Sequence, residues 1–173
     1  SHLKVWWKCE NGHNYKAIVK NKVKGSRCPY CFGGKVCKEN SLAALKQNIA
    51  KEWHPTKNGK LTPEDVTKGS GKKVWWICPK KHTYKAQILS RTNGTGCPYC
   101  SNHQVCKDNN LATLYPNIAK EWHPEKNNEL KPNDVTKGSN KKVWWTCPEG
   151  HEYYSQIYSR VSGRKCPYCS GNK

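Results

Sequence analysis

Cysteine and histidine residues recur at one fixed spacing in three copies along this chain. Each copy reads Cys-x3-His-x14-Cys-x2-Cys, and each begins 69 residues after the previous one. Three thiolates and one imidazole at such a spacing are the ligand set of a closed, tetrahedral, structural zinc site. The sequence therefore predicts three structural zinc ions, held by Cys9, His13, Cys28, Cys31, Cys78, His82, Cys97, Cys100, Cys147, His151, Cys166 and Cys169.

The composition explains why the chain would need metal. Of its 173 residues only 35% are hydrophobic, with one Phe and no Met. About 50 residues per zinc motif bury too little apolar surface to fold without help. A structural zinc ion contributes roughly 10–16 kcal/mol of apparent binding free energy in finger peptides. We therefore expect small modules that are unfolded or molten when zinc is removed.

Disulfide bonds are the alternative use of the eleven cysteines. That count is odd, and a disulfide framework would not require a histidine at the same position of each copy. We therefore expect an intracellular, reducing compartment (cytoplasm or nucleoid in a bacterial or phage setting), with no signal peptide and no membrane span. The two remaining cysteines, Cys37 and Cys106, are interpreted as small core residues; a redox role or an alternative ligand position stays open.

The zinc motifs must be positioned by short strands. A Val-Trp-Trp segment precedes the first ligand in each copy, and a Tyr two residues after the ligand His begins a second, alternating segment. That alternation predicts a strand with Tyr15, Ala17 and Val19 on one face, and likewise in the other copies. The expected fold is a set of small α+β zinc-dependent repeats, tandem zinc-ribbon or treble-clef-like modules with short β-hairpins joined by helical segments; the sequence leaves ribbon or treble clef open.

Two helical segments lie between the zinc motifs. Leu42, Leu45, Ile49 and Trp53 share a helical face, and matching residues recur in the second copy. Because Pro116 falls inside that second copy, we expect it to form two short helices, while the first copy can be continuous. The predicted division is module 1 at 1–34, helical segment 35–67, module 2 at 68–103, helical segment 104–136 and module 3 at 137–173. We expect this chain to be part of a longer array.

The Trp pairs allow two interpretations. Adjacent strand residues face opposite sides, so one Trp of each pair belongs to the core. The other could stack on a nucleic-acid base or pack against the helical segment that carries Trp53 or Trp122. Packing is the favoured interpretation.

These motifs resemble a bacterial and phage family called the probable zinc-ribbon domain. The resemblance rests on Leu-Ala, Pro-x-Ile-Ala-x-Glu-Trp, Leu-x-Pro, Gly-Ser, Trp-Trp-x-Cys, Gly-His and Cys-Pro-x-Cys, which cover nearly the whole chain. Lys81 and Gln47 depart from it, replacing Gly and Pro. The resemblance implies a tandem nucleic-acid-binding module that accompanies endonuclease domains of the very-short-patch-repair type, so a flanking nuclease domain is an expected partner.

The charge of the chain points to an anionic partner. The net charge is +19, and each Cys3His site with its metal adds about −1, which leaves roughly +16. We therefore predict an array that binds nucleic acid, most readily double-stranded DNA, through phosphate contacts. The predicted contact residues lie on the loop before the second Cys pair and just before the Trp pairs: Lys4, Lys22, Lys24, Arg27, Lys73, Arg91, Lys142, Arg160, Arg164 and Lys165.

Other functions have weaker support. Catalysis needs an open position on the metal, and Cys3His fills all four, so we predict that the chain is not an enzyme. Glu52 with His54, and Glu121 with His123, could suggest acid–base chemistry, but we interpret each Glu as a helix-surface residue and each His as a satisfied turn residue. A protein-interaction scaffold and a binder of single-stranded DNA or RNA remain the alternatives.

Overall fold

The computed structural model describes residues 2–171. It divides into two compact units, Ser1–Thr95 and Gly96–Lys173. Each unit is described by itself below.

Three two-stranded antiparallel sheets carry the zinc motifs. The hairpins pair β1 (Lys4–Lys8) with β2 (Asn14–Ile18), β3 (Lys73–Ile77) with β4 (Thr83–Gln87), and β5 (Lys142–Thr146) with β6 (Glu152–Gln156). The register is the same in all three, so that Trp7 lies opposite Tyr15, Trp76 opposite Tyr84 and Trp145 opposite Tyr153. Trp and Tyr suit this pairing because large rings on one face of a ribbon pack across the strands.

A single helical turn follows each hairpin. These turns are α1 (Val19–Val23), α4 (Ile88–Thr92) and α7 (Ile157–Val161). The predicted strand was therefore one residue too long, because Val19 and its counterparts begin a helix. Gly25, Gly94 and Gly163 follow these helices with φ of +89°, +97° and +97°, a left-handed conformation that ends a helix at little cost only for glycine.

The helical segments between the hairpins are split in both copies. The first contains α2 (Leu42–Leu45) and α3 (Gln47–Ala50), and the second α5 (Leu111–Leu114) and α6 (Pro116–Ala119). The backbone breaks alike at Lys46 and Tyr115, with ψ of 58° and 62°. The possibility of a continuous first copy is therefore wrong, and proline is not needed for the break. Short 3-10 turns at Lys38–Asn40, Pro63–Asp65 and Pro132–Asp134 complete the segments.

Side-chain caps fix where the helices of these segments start. The Ser41 hydroxyl accepts a hydrogen bond from the Ala44 N–H at 3.2 Å. In the second copy the Asn110 side chain accepts from the Thr113 N–H at 2.8 Å. Such caps satisfy an N–H group that has no partner inside the helix.

Each helical segment packs on the hairpin that follows it in the chain. In the second unit Leu111, Val135, Val143, Trp145 and Ile157 form one buried cluster with Trp122 against it. In the first unit the corresponding residues are Leu42, Val66, Val74, Trp76 and Ile88, and all five are buried. The zinc ligands thus sit at the end of a small apolar core that the helical segment completes. The division of the chain at 34, 67, 103 and 136 stays a prediction.

Candidate metal centres and basic surface

The twelve predicted ligands form three clusters. Each residue offers one ligand atom, and in each cluster the four ligand atoms all lie within 4.8 Å of one another. The sets are the three quartets expected from the spacing: Cys9, His13, Cys28, Cys31; Cys78, His82, Cys97, Cys100; and Cys147, His151, Cys166, Cys169. The ligand spacing in the sequence therefore corresponds to three separate Cys3His groups in the structure.

Distances between the ligand atoms fit zinc. A tetrahedron with Zn–S of about 2.3 Å and Zn–N of about 2.0–2.1 Å has edges of about 3.8 Å between sulfurs and about 3.5 Å between sulfur and nitrogen. The Cys147 and Cys169 sulfurs are 3.8 Å apart, and the Cys147 sulfur is 3.5 Å from His151 Nδ1. The Cys78 sulfur is also 3.5 Å from His82 Nδ1. The three groups are structural zinc sites, bound through the Nδ1 atom of each histidine.

Two different turns supply the ligands of each site. The first Cys and the His flank the turn between the two strands, where the Cys147 N–H donates to the His151 carbonyl at 3.0 Å and the Gly150 N–H donates to the Cys147 carbonyl at 2.9 Å. The other two cysteines come from the Cys-Pro-Tyr-Cys turn. In the third copy the Ser170 N–H donates to the Cys166 carbonyl at 3.1 Å and closes this turn. In the second copy Lys81 takes the place of the turn glycine and still adopts φ of +66°.

The thiols of one site cannot all ionise without a cation. Desolvation opposes ionisation of Cys147, yet hydrogen bonds from the His151 and Glu149 backbone and from neighbouring ligands bring its pKa down to about 7. Desolvation, together with the neighbouring Cys147 and Cys166 thiols, raises the pKa of Cys169 to about 12. Hydrogen bonds thus favour the Cys147 thiolate, whereas desolvation and the neighbouring thiols disfavour that of Cys169. A divalent cation at the centre of the cluster favours all three thiolates.

Cys37 is not the core residue that the sequence suggested. Its sulfur lies 3.5 Å from the Nε2 atom of His13, the ring nitrogen that faces away from the zinc ligands. A Glu39 carboxylate oxygen is 3.9 Å from the same Nε2. Partners at the outer nitrogen orient a ligand histidine and fix its tautomer. Cys106 is half-buried, and its backbone N–H donates to the Asn109 side chain at 2.7 Å.

Seven of the ten predicted nucleic-acid contacts have exposed side chains. They are Lys4, Lys24, Arg27, Lys73, Lys142, Arg164 and Lys165. Within residues 2–171 none of these seven forms an ion pair with a carboxylate. Lys22 differs, because it is half-buried, with its ammonium 5.7 Å from the centre of the Trp7 ring.

The prediction that Arg91 and Arg160 contact phosphate is wrong for the folded modules. Both arginines are 7% exposed. Arg91 donates to the Glu52 carboxylate at 2.6 Å and lies over the Trp76 ring, 5.5 Å from its centre. Arg160 pairs with Glu121 in the same way. A guanidinium that is buried and already paired has no free face for an anion, so these residues hold the helical segment on the hairpin.

The Glu-Trp-His-Pro motifs therefore have structural roles. Glu52 and Glu121 are not free helix-surface residues, since each neutralises a buried arginine. The histidines are satisfied turn residues, as predicted. His123 Nδ1 accepts hydrogen bonds from the backbone N–H groups of Glu125 and Lys126, both at 3.1 Å.

The first Trp of each pair lies on the outer face of its hairpin beside lysines. Trp6 is 67% exposed, and the Lys16 ammonium is 5.1 Å from its ring centre. The Lys57 ammonium lies 4.9 Å from Trp75, and Lys126 lies 4.9 Å from Trp144. The second Trp is the core residue, and Trp76 and Trp145 are fully buried edge-on against Trp53 and Trp122. One Trp of the pair is thus the core residue, as predicted. In the second and third hairpins this core Trp is the one that packs against Trp53 or Trp122, so the favoured interpretation, that the other Trp packs there, is wrong.

Sequence reasoning missed the lysines of this outer face. Lys16 and Lys85 lie directly opposite Trp6 and Trp75 across the hairpin, so strand pairing could have identified them. Lys57 and Lys126 come from the turn after Glu-Trp-His-Pro, and no local sequence signal places them beside a tryptophan.

Comparisons with known proteins agree with the metal centres. A family model described as "Probable Treble clef zinc finger domain" matches residues 1–34, 49–103 and 118–172. The second and third matches each join a Glu-Trp-His-Pro segment to the zinc motif that follows it. No curated protein matches the chain. The described residues contain no helix with the length and apolar character to cross a bilayer. Since the matched residues cover most of the sequence, the chain belongs to this treble-clef zinc-finger family.

Proposed function

We propose that the chain is a nucleic-acid-binding array of three zinc modules and that DNA is its preferred partner. The observation that carries the proposal is the set of exposed lysines and arginines that have no carboxylate partner within residues 2–171. Lys4, Lys73 and Lys142 begin the first strand of the three hairpins, so each module presents a cation at the same place. Exposed cations without a carboxylate partner, at the same position of each hairpin, can contact the phosphates of a nucleic acid.

Zinc has a structural role in this proposal. Three thiolates and one imidazole occupy the four positions of a tetrahedral ion, which leaves no site for water or substrate. The Glu and His residues that could have served acid–base chemistry are engaged in ion pairs and turns. We accordingly propose a binding protein and not an enzyme, acting in a reducing intracellular compartment where thiol ligands persist.

The outer tryptophans favour a second candidate, binding to single strands. Trp6 is exposed beside Lys16, and Trp144 lies 5.4 Å from the Tyr154 ring, which is itself 56% exposed. Rings beside cations can stack on unpaired bases while the cations meet phosphates. The same face would contact duplex DNA through its lysines alone.

Binding measurements with a charge-matched control test the proposal. The variant Lys4→Glu/Lys73→Glu/Lys142→Glu should weaken duplex binding and reduce the salt slope by about 1 for each phosphate that the variant no longer neutralises. The control Lys60→Glu/Lys68→Glu/Lys137→Glu changes the net charge equally at other exposed lysines. Equal weakening in both variants would show that binding depends on net charge alone and not on these three positions. Equal affinity for duplex DNA and heparin across a salt series would contradict recognition, and tighter binding of single strands would favour the second candidate.

A further inference from the structure

A small open cleft lies in the third module between β6 and the Cys-Pro-Tyr-Cys turn. Its volume is about 460 Å³, and Tyr154, Ser155, Arg164, Lys165 and Ser170 are among the residues that line it. Such a volume lies within the range of roughly 300–1,000 Å³ that is typical of sites for small ligands. All the lining residues belong to the second compact unit, so a single module forms the cleft.

Two cations of the cleft are available to a ligand. The side chains of Arg164 and Lys165 are exposed, and neither forms a hydrogen bond or an ion pair within residues 2–171. No carboxylate is present among the described residues that line the cleft. Glu152, at the start of β6, is occupied by its ion pairs with Lys126 and His123. The cleft therefore presents two uncompensated positive charges, which favour an anion such as a phosphate group.

Buried groups hold the loop that carries these two cations. The Arg164 carbonyl accepts a hydrogen bond from the buried Arg160 guanidinium, and the Arg164 N–H donates to the Ser159 carbonyl at 3.0 Å. Arg160 is in turn fixed by its ion pair with Glu121. Because this backbone is ordered before a ligand binds, less conformational entropy is lost on binding.

An exposed aromatic ring forms one wall of the cleft. Tyr154 is 56% exposed and lies directly opposite Trp144 across the hairpin. The two ring centres are 5.4 Å apart and the ring planes are inclined by 44°. The contact with Trp144 restricts the Tyr154 side chain and leaves much of its surface accessible. An accessible ring beside cations is the arrangement on which unpaired bases stack.

The combination of ring and cations occurs in the third copy alone. The corresponding residues of the other copies are Lys16 and Lys85 for Tyr154, and Ser26-Arg27 and Thr95-Gly96 for Arg164-Lys165. The backbone of the loop is alike in all three, because the Ser26 and Thr95 carbonyls also accept a hydrogen bond from the side chain four residues earlier. The third module therefore differs from the others in the side chains of the cleft and not in its backbone.

We propose that this cleft binds one unpaired nucleotide of a nucleic-acid strand. The base stacks on Tyr154, its phosphate contacts Arg164 and Lys165, and the hydroxyls of Ser155 and Ser170 are further hydrogen-bonding groups. A base inside a duplex is paired and stacked on both faces, so the nucleotide belongs to a single-stranded segment. This inference rests on the proposed nucleic-acid binding and assigns contact with unpaired bases to the third module.

The first test measures fluorescence anisotropy of a short labelled oligothymidylate with the full, zinc-loaded chain. Tyr154→Lys introduces the residue of the other two copies and should weaken binding about tenfold, although it adds a positive charge. Tyr154→Phe keeps the ring and should bind within about twofold of the original chain. Attraction by charge alone predicts tighter binding by Tyr154→Lys. Native mass spectrometry that shows three zinc ions in each variant controls for folding.

A second test separates the base from the phosphates. A strand of the same length that lacks its bases should bind about tenfold more weakly than the oligothymidylate, and Tyr154→Lys should not weaken it further. Arg164→Gln/Lys165→Gln should lower the salt slope for the oligothymidylate by about 1. The control Lys107→Gln/Lys137→Gln removes the same charge from exposed lysines outside the cleft and should change the slope by less than half as much.

Three results would overturn the inference. They are undiminished oligothymidylate binding by Tyr154→Lys, equal affinity for the strand without bases, and NMR shift changes on oligothymidylate binding at Trp6 and Lys16 instead of Tyr154 and Arg164. Each of these leaves duplex binding through Lys4, Lys73 and Lys142 intact, because duplex DNA and separate variants measure that binding. Loss of binding to every nucleic acid, single- or double-stranded, would instead reject the proposed function and this inference together.

Discussion

The first and third zinc modules contain the same motif but differ in what surrounds it. Their sites match closely: the sulfurs of Cys9 and Cys31 are 3.7 Å apart, and those of Cys147 and Cys169 are 3.8 Å apart. Their cores do not match, since Trp145 is fully buried while Trp7 is half-buried, and Val23 is 82% exposed while Val161 is half-buried. Metal geometry therefore follows from the ligand motif and the hairpin, whereas the apolar core depends on the helical segment, ending in Glu-Trp-His-Pro, that packs on the hairpin.

Zinc removal should produce the largest difference in folding between the first and third modules. Structural zinc contributes roughly 10–16 kcal/mol in finger peptides, and within residues 2–171 the first module has little other core. We expect stepwise chelation to abolish the folded NMR signals of Trp7, while the Trp145 signal shifts to that of a collapsed but less ordered core. Cys9→Ser and Cys147→Ser variants should reproduce the two outcomes singly. Simultaneous and equal loss of both tryptophan signals would contradict the comparison.

Truncating the same strand position in both modules should give unequal losses of stability. Trp145→Ala removes a fully buried ring, at a cost of about 3–5 kcal/mol, whereas Trp7→Ala should cost about 1–2 kcal/mol. Hydrogen exchange of the hairpin amides in the zinc-saturated protein measures each loss locally, which avoids assuming a two-state transition for several modules. Similar losses would show that the helical segment with Glu-Trp-His-Pro contributes little to the core.

The cation at one repeat position should affect stability in the third module, where Arg160 forms a buried ion pair, but not in the first, where the residue is Lys22. Arg160→Met leaves Glu121 without its partner and should destabilise the third module by about 1–3 kcal/mol, because that carboxylate keeps some solvent contact. Lys22→Met should change the first module by less than about 0.5 kcal/mol. The double variant Arg160→Met/Glu121→Leu should recover part of the stability, and failure to recover would indicate that packing of the arginine stem matters more than its charge.

The smallest expected effect is a pH-dependent contribution from Glu152. Hydrogen bonds from Lys126 and then His123 lower the pKa of this carboxyl. A lowered folded-state pKa stabilises the fold above the unfolded value of about 4.5, and the contribution is lost as pH falls through the folded pKa. A carboxyl NMR titration should show a midpoint below 4.5 that returns toward it in Lys126→Gln. The first module has Asn14 at this position and should show no such titration.

The sequence alone determined the metal sites and most of the local structure. Ligand spacing was sufficient for zinc because both pairs of ligands come from turns whose geometry is local, such as Cys147 to His151. Strand periodicity likewise predicted the hairpins, although it did not show that Val19 begins a helix. The Ser41 cap is equally local, since its partner is three residues away.

Only the tertiary structure decided the roles of the arginines and the placement of the helical segments. Arg91 pairs with Glu52, 39 positions away, and nothing near either residue distinguishes a buried pair from two exposed charges. A trace of the answer was present in the sequence, because arginine occurs at this position in both copies for which a preceding Glu-Trp-His-Pro is visible. The physical reason is general: local turns determine metal ligation, while burial depends on which surface a distant segment covers.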